Sequence, residues 1–142
     1  MASVESYSSG YIPQVITATE SAGESYKKGD LIHLDSDGLV EIATAGNIDG
    51  IAKADASGTA NTLTEIELID LNQLYTCAYK ASATAQTLVG ALADFVFTAG
   101  AHTLDDSGAT TDVFVVALDP RDTLGTSGGR LIFRFLPALV KG

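Results

Sequence analysis

The sequence predicts a mainly β protein, a small β-barrel or sandwich-like domain with one short helix and an extended N-terminal arm. Short apolar segments recur at intervals of about eight to twelve residues, and turn-forming residues separate them. The last segment, residues 130–136, alternates charged and apolar side chains, as a strand does when one face is buried. Hydrophobic residues make up 46% of the 142 residues and charged residues 18%, so the chain can build a core.

The composition of residues 1–25 predicts an extended arm, which precedes a β-rich domain of residues 26–142. The arm mixes Ser, Gly, Thr and Glu with isolated apolar residues, and Pro13 disfavours both a helix and a central strand. A spacer rarely carries so many Tyr and Ile side chains, so we expect the arm to become ordered against a partner. Its predicted anchors are Tyr7, Tyr11, Ile12 and Val15. One alternative stays open, in which residues 14–19 form the first strand of the domain itself.

From Tyr26 onward the chain predicts short strands joined by turns. Residues 31–34 and 39–42 flank the sequence DSDG, which predicts a hairpin because Asp caps turns and Gly accepts a positive φ. Later strands are predicted at residues 48–54, 62–69, 75–79, 95–98, 112–119 and 130–136. The spacing of these segments is typical of a small barrel or sandwich.

One segment departs from the strand pattern. Leu88, Leu92 and Phe95 recur with helical spacing. Thr84 lies where an N-cap residue would lie. The sequence therefore predicts a short helix over residues 83–94, although Gly90 lowers the helical propensity inside it.

Acidic residues outnumber basic ones, 18 against eight, and the net charge is −10. Such a chain repels the phosphates of DNA on average, so a nucleic-acid partner is not expected. All three arginines lie in the last 22 residues, at Arg121, Arg130 and Arg134. This asymmetry predicts either a contact surface for a partner or a basic terminal strand packed on an acidic body.

Residues for catalysis are scarce. His33, Cys77 and His102 are the candidates for a base or a thiol nucleophile, and no motif of a nucleophilic enzyme surrounds them. We expect Cys77 to be buried and inert, and His33 to be a half-exposed strand residue. The chain is therefore not expected to be an enzyme, and no cofactor is expected.

Two pairs of aspartates stand close together in sequence, Asp35 with Asp37 and Asp105 with Asp106. Neither stretch has the ligand spacing of an EF-hand loop. Turn formation is the better explanation for both pairs, and a weak metal site is the alternative.

The chain contains one cysteine, no run of about 18 apolar residues, and no basic and then apolar leader at its start. These features predict a protein that is made and folded in a cytosol. We expect neither a disulfide framework nor a membrane-spanning segment.

The chain resembles the small capsid decoration, or cement, proteins of tailed bacteriophages. The resemblance rests on the order of segments: a Ser/Thr/Gly-rich arm, KKGDLIHLDSDGLVEIA, NIDGIAKADAS, ATAQTLVGALADF, and the late VFVVALD and RLIFRFLP. It implies a structural virion protein on the exterior of the assembled head, made in the bacterial host cytoplasm. The implied partner is the major capsid protein, and the implied assembly is a homotrimer.

Three alternatives come from other classes. A phage tail or fibre subunit, or a surface-layer module, would also be structural. A carbohydrate-binding β domain would be expected to expose Trp and Tyr stacking platforms, and Trp is absent. A small hydrolase would need a nucleophile, a base and an orienting group, which these residues supply poorly. We therefore expect a partner-binding surface that includes the arm anchors and Arg121, Arg130 and Arg134.

Overall fold

The computed structural model describes residues 4–7, 12–44, 47–80, 84–106 and 112–137. Within these ranges the protein is built from two sheets and one 3-10 turn, Gln86–Leu88. The strands are β1 (Glu5–Ser6), β2 (Val15–Glu20), β3 (Leu31–Leu34), β4 (Leu39–Ile42), β5 (Gly50–Ala52), β6 (Leu63–Leu68), β7 (Tyr75–Ala78), β8 (Leu92–Val96), β9 (Thr103–Asp105), β10 (Val113–Leu118) and β11 (Arg130–Phe135).

Five strands close into a barrel in the order β2-β4-β3-β5-β6. Strand β2 completes the barrel because it pairs antiparallel with β6 on one side and parallel with β4 on the other. Gly50 lets β5 approach β6 closely, since a Cβ at this position would lie 2.5 Å from the Glu67 carbonyl oxygen. The barrel therefore depends on a strand from the predicted arm and on one glycine contact.

The hairpin between β3 and β4 confirms the turn predicted from DSDG. Asp35 Oδ1 accepts the N–H groups of Asp37 and Leu39 at 2.8 and 2.9 Å. Gly38 has a φ of 79°, which an L side chain rarely adopts. The sequence predicts this turn well because its chemistry is local.

The other six strands form a sheet in the order β1-β7-β11-β10-β8-β9, and every pairing is antiparallel. Strand β10 contains a bulge between Val115 and Ala117. The edge of β7 that faces away from β11 has two partners. Residues 75–76 pair with β1, and Tyr79, just after β7, forms a parallel bridge with Leu104 of β9. The sheet therefore curls so that β9, its last strand, contacts β7.

Buried side chains form two hydrophobic cores. The barrel interior contains Tyr26, Ile32, Val40, Ala52 and Ile66. The larger core lies between barrel and sheet, and the barrel contributes Leu31, Ala43, Ile48 and Ile51 to it. The sheet contributes an aromatic group in mutual ring contact: Tyr75, Phe95, Phe133 and Phe135.

The mainly β, sandwich-like class predicted from the sequence is confirmed, but the helix is shorter than predicted. It is reduced to the 3-10 turn, and the predicted helix over residues 83–94 is wrong beyond it. Gly90 has a φ of 85°, which ends the turn. Leu92 then begins strand β8, whose Ala93 and Phe95 face the core. Packing in the sheet thus overrides the helical spacing of the apolar residues.

The described part of residues 1–25 contributes a strand to each sheet. The alternative in which residues 14–19 form the first strand of the domain is confirmed, because β2 spans Val15–Glu20. Val4, just before β1, is buried in the core between barrel and sheet. The division of the chain at residue 25 stays a prediction.

Candidate functional site

Cys77 and His102, two candidates for nucleophilic chemistry, lie together in the core. The Cys77 thiol donates to the main-chain carbonyl of His102 at 3.3 Å and not to its ring. The Leu31 N–H donates to His102 Nε2, also at 3.3 Å, so the ring proton resides on Nδ1. That Nδ1 donates to the Thr98 carbonyl at 2.8 Å and lies 3.5 Å from Asp30 Oδ1.

Burial opposes reactivity in this cluster. Burial raises the pKa of the Cys77 thiol and lowers the pKa of the His102 ring, so both groups are uncharged at neutral pH. A nucleophilic thiol needs the opposite, a lowered pKa and access to substrate. The cluster therefore connects the barrel to the sheet, and the expected burial of Cys77 is confirmed.

His33 lies apart from that cluster, on β3. Its Nε2 is 3.4 Å from Glu41 Oε1 on the neighbouring strand, and both side chains are partly exposed. The expectation of a half-exposed strand residue is confirmed.

The aspartates at positions 105 and 106 hold a lysine and a tyrosine. Lys80 Nζ contacts Asp105 Oδ1 at 2.9 Å and Asp106 Oδ1 at 3.1 Å. The Tyr79 hydroxyl donates to Asp106 at 2.8 Å, and with Lys80 it lowers the pKa of Asp106. Within the described ranges, no group of three or more His, Cys, Asp and Glu side chains is arranged to hold a metal ion.

Two of the three arginines are ion-paired within the protein. Arg121 contacts both carboxylate oxygens of the buried Asp119, the shorter distance being 2.6 Å. The Thr76 hydroxyl also donates to Asp119, and together these bonds hold the pKa of Asp119 at about 2. Arg130 contacts Asp122 through Nε at 2.9 Å and a terminal nitrogen at 3.0 Å. For Arg121 and Arg130 the structure favours the prediction of a basic strand packed on nearby acids.

Arg134 differs from the other two arginines. It is exposed on β11, and its guanidinium carbon lies 5.2 Å from the centre of the Phe114 ring on β10. Among the described residues, no ion pair involves Arg134. Its charge is therefore available to a partner.

The predicted anchors of the arm lie on the surface. Tyr7 and Val15 are partly exposed, and Ile12 is 86% exposed. Tyr11 lies outside the described residues. Ile12 lines an open groove of about 660 Å³ together with Leu68, Ile69 and Leu71. The described anchors are thus divided between the two sheets: Tyr7 follows β1 of the six-stranded sheet, which also carries Arg130 and Arg134, and Val15 lies on β2 of the barrel.

Several large apolar side chains outside the predicted contact set are exposed. Leu63 lies on the barrel, and Leu92, Val96 and Val116 lie on the six-stranded sheet. The alternation within β8 carries the missing signal, since Leu92, Asp94 and Val96 share one face and the buried Ala93 and Phe95 share the other. An apolar residue on the solvent face of a strand marks a contact surface more clearly than one on the core face.

No family model matches the sequence, and no curated protein matches it. Among solved structures, the chain is similar to the N base of the head fiber protein gp8.5 of bacteriophage phi29. The two chains superpose with a TM-score of 0.52 at 15% sequence identity, over 91% of this chain and 100% of the other. The likeness is one of fold.

In the described ranges, no helix has the length and hydropathy that crossing a membrane requires.

Proposed function

We propose that the protein is a non-enzymatic structural component of a bacteriophage virion that attaches to the outer surface of the assembled head and stabilises it. The observation that carries the proposal is the similarity of fold, over nearly the whole chain, to a head fiber protein. The burial of Cys77 and His102 supports a structural role, because neither group is accessible to a substrate.

The proposed partner is the major capsid protein, and the proposed assembly is a homotrimer. Arm anchors Tyr7, Tyr11, Ile12 and Val15, together with the arginines, form the proposed contact set. Of the arginines we expect Arg134 to contribute most, because Arg121 and Arg130 already bind Asp119 and Asp122. Synthesis in the host cytoplasm and a final position on the head exterior belong to the same proposal.

A fibre subunit is the second candidate, and the similarity to a head fiber protein favours it. A fibre base would carry a projecting partner, whereas a decoration protein would not. The two candidates therefore differ in what extends beyond the domain.

The test uses phage heads that lack this protein and the purified full chain. We expect the added chain to bind the heads to a fixed copy number, as measured by quantitative mass spectrometry and cryo-electron microscopy. Heads that carry it should survive heating or osmotic shock longer than bare heads, because a partner that binds only the assembled state stabilises that state. Failure of the wild-type chain to bind any head would overturn the proposal. In particles assembled in the host, density that projects beyond the bound domain would favour the fibre candidate.

A further inference from the structure

We propose that the outer face of the six-stranded sheet, centred on Arg134 and Phe114, is the surface that docks on the shell. Its partner on the shell is an apolar patch that carries a carboxylate. This inference rests on the proposed function and adds to it the docking face and the chemistry of the partner.

The first observation is a row of side chains across three strands. In the pairing of β8, β10 and β11, Phe114 stands opposite Leu92 on one side and Arg134 on the other. Directly paired residues in an antiparallel sheet point to the same face. Their neighbours Val113, Ala93 and Phe135 face the core, so this row faces outward.

The second observation is that this outward face carries several exposed apolar side chains, with Asp94 between Leu92 and Val96 as an acidic exception. Leu92 is 51% exposed and Val96, on the same face of β8, is 44% exposed. Val116, at the bulge of β10, is a further exposed apolar side chain of this sheet. Exposed apolar side chains that lie together on one sheet face mark an interaction site, whereas single exposed ones need no explanation.

The third observation is the state of Arg134. The Phe114 ring supports its guanidinium group at 5.2 Å, which restricts the side chain before any partner arrives. Restricted side chains lose less entropy on binding, and arginines and aromatic residues are enriched among those that dominate interface energies. Arg121 and Arg130 cannot pair with a partner in the same way, because they already bind Asp119 and Asp122.

The charge distribution identifies the partner's chemistry. Residues 12–74, which contain the barrel, carry 11 acidic side chains and three lysines, whereas residues 75–137 carry six acidic and four basic side chains. The acidic barrel repels an acidic partner surface, whereas the guanidinium group of Arg134 attracts it.

The experiment measures binding of purified full-length variants to heads that lack the protein. We expect Arg134→Glu to weaken binding by roughly 30-fold or more, since it places a carboxylate against the partner's carboxylate. Phe114→Ala should weaken binding to a smaller extent by removing the support of the guanidinium group. Lys28→Glu is the matched control, because it makes the same change in formal charge at an exposed position of the barrel half. We expect its binding to match the wild type within about twofold.

Each outcome has a separate meaning. If the wild type binds and Arg134→Glu binds equally well, the docking face is wrong while the proposed function stands. If the wild type does not bind, the proposed function fails. If Arg134→Glu instead dissociates an oligomer of the free protein in sedimentation, the face joins copies of this chain, which overturns its assignment to the shell. An unchanged melting temperature for Arg134→Glu, or for Arg134→Gln if the charge reversal impairs folding, shows that the loss is one of binding.

Discussion

The carboxylates of the barrel and those of the six-stranded sheet are used in different ways. In the barrel most of them accept hydrogen bonds from the main chain: Glu20 binds the N–H groups of Ser57 and Gly58, and Asp49 binds that of Leu34. In the sheet most of them bind cationic side chains, as Asp119 and Asp122 do with two arginines and Asp105 and Asp106 do with Lys80. Glu67, which pairs with Lys53, and Asp112, which binds the Phe95 N–H, are the exceptions.

This difference explains why the barrel half is so acidic. A carboxylate that ties a loop to a strand needs no basic side chain, since main-chain N–H groups satisfy its oxygens. Glu24 and Asp55 act in the same way, on the N–H groups of Ile42 and Lys28. Much of the negative charge is therefore structural, and an acidic composition of this kind is no evidence for a metal or a cationic ligand.

The largest expected effect comes from removing residues 1–23. This truncation deletes β2, which pairs with both β4 and β6, so it opens the barrel and leaves two strand edges without partners. We expect the truncated chain to lose cooperative thermal unfolding, followed by circular dichroism. A truncated chain that melts like the full chain would show that residues 1–25 are a separate arm, as the division at residue 25 predicts.

A smaller loss of stability is expected from the substitution Glu20→Gln. Glu20 is buried and accepts three hydrogen bonds, from the Ser57 N–H and hydroxyl and from the Gly58 N–H. The amide group of glutamine faces these donors with donors of its own, so we expect a loss of about 2–3 kcal/mol in the free energy of unfolding, measured in urea. Glu65→Gln, at an exposed position of β6, serves as the control. Equal stability of the two variants would contradict the role assigned to the barrel carboxylates.

The sheet carboxylates predict a pH dependence. The bonds from Arg121 hold the pKa of Asp119 at about 2, below its ordinary value. A group whose pKa is lowered on folding stabilises the protein above its unfolded pKa, and that stability is lost as the pH falls through the folded pKa. Between about pH 4 and pH 2 we therefore expect Asp119→Asn to show a shallower fall in melting temperature than the wild type. Asp37→Asn, in an exposed turn, is the control, and its melting temperature should fall with pH as steeply as that of the wild type.

The smallest effect on stability is expected from His102, which lies where the barrel meets the six-stranded sheet. Burial lowers the pKa of His102, although Asp30 and the bond to Thr98 oppose the shift. The folded state then binds fewer protons than the unfolded state, so stability is complete above about pH 6.5 and falls as the pH decreases below that value. Asp30 lies against this ring, and the Cys77 thiol donates to the main-chain carbonyl of the same residue.

We expect His102→Gln to reduce the change in unfolding free energy between pH 7 and pH 5 by on the order of 1 kcal/mol. His33→Gln is the control, because His33 is partly exposed on the barrel surface. The same slope in both variants would mean that His102 does not contribute to the pH dependence.

Local chemistry decided which parts of the fold could be predicted. The DSDG turn and the alternation of β11 depend on neighbouring residues. The turn is as expected, and so is the alternation except at Ile132, which is buried although it shares a face with Arg130 and Arg134. The first part of strand β8, residues 92–94, was predicted as helix because its conformation depends on Phe95 packing against Phe133 and Phe135, which lie about 40 residues away.

The candidate site shows the same limit. Asp119 and Asp122 lie two and eight residues from the arginines that bind them, so the sequence could have suggested those ion pairs. The contact of Arg134 with Phe114 depends on the register of β10 against β11. No local pattern encodes that register, so only the structure separates Arg134 from Arg121 and Arg130.

The edge of β7 that β1 and β9 share also constrains the order of folding. β1 pairs with residues synthesised some 70 positions later, and β2 waits for β6, some 50 positions later. The first strands to leave the ribosome are thus among the last to find partners, and such distant pairings make folding slow. Until β6 and β7 emerge, β2 and β1 have strand edges without partners and Val4 stays exposed, so the nascent chain passes through an aggregation-prone interval that the finished protein no longer has.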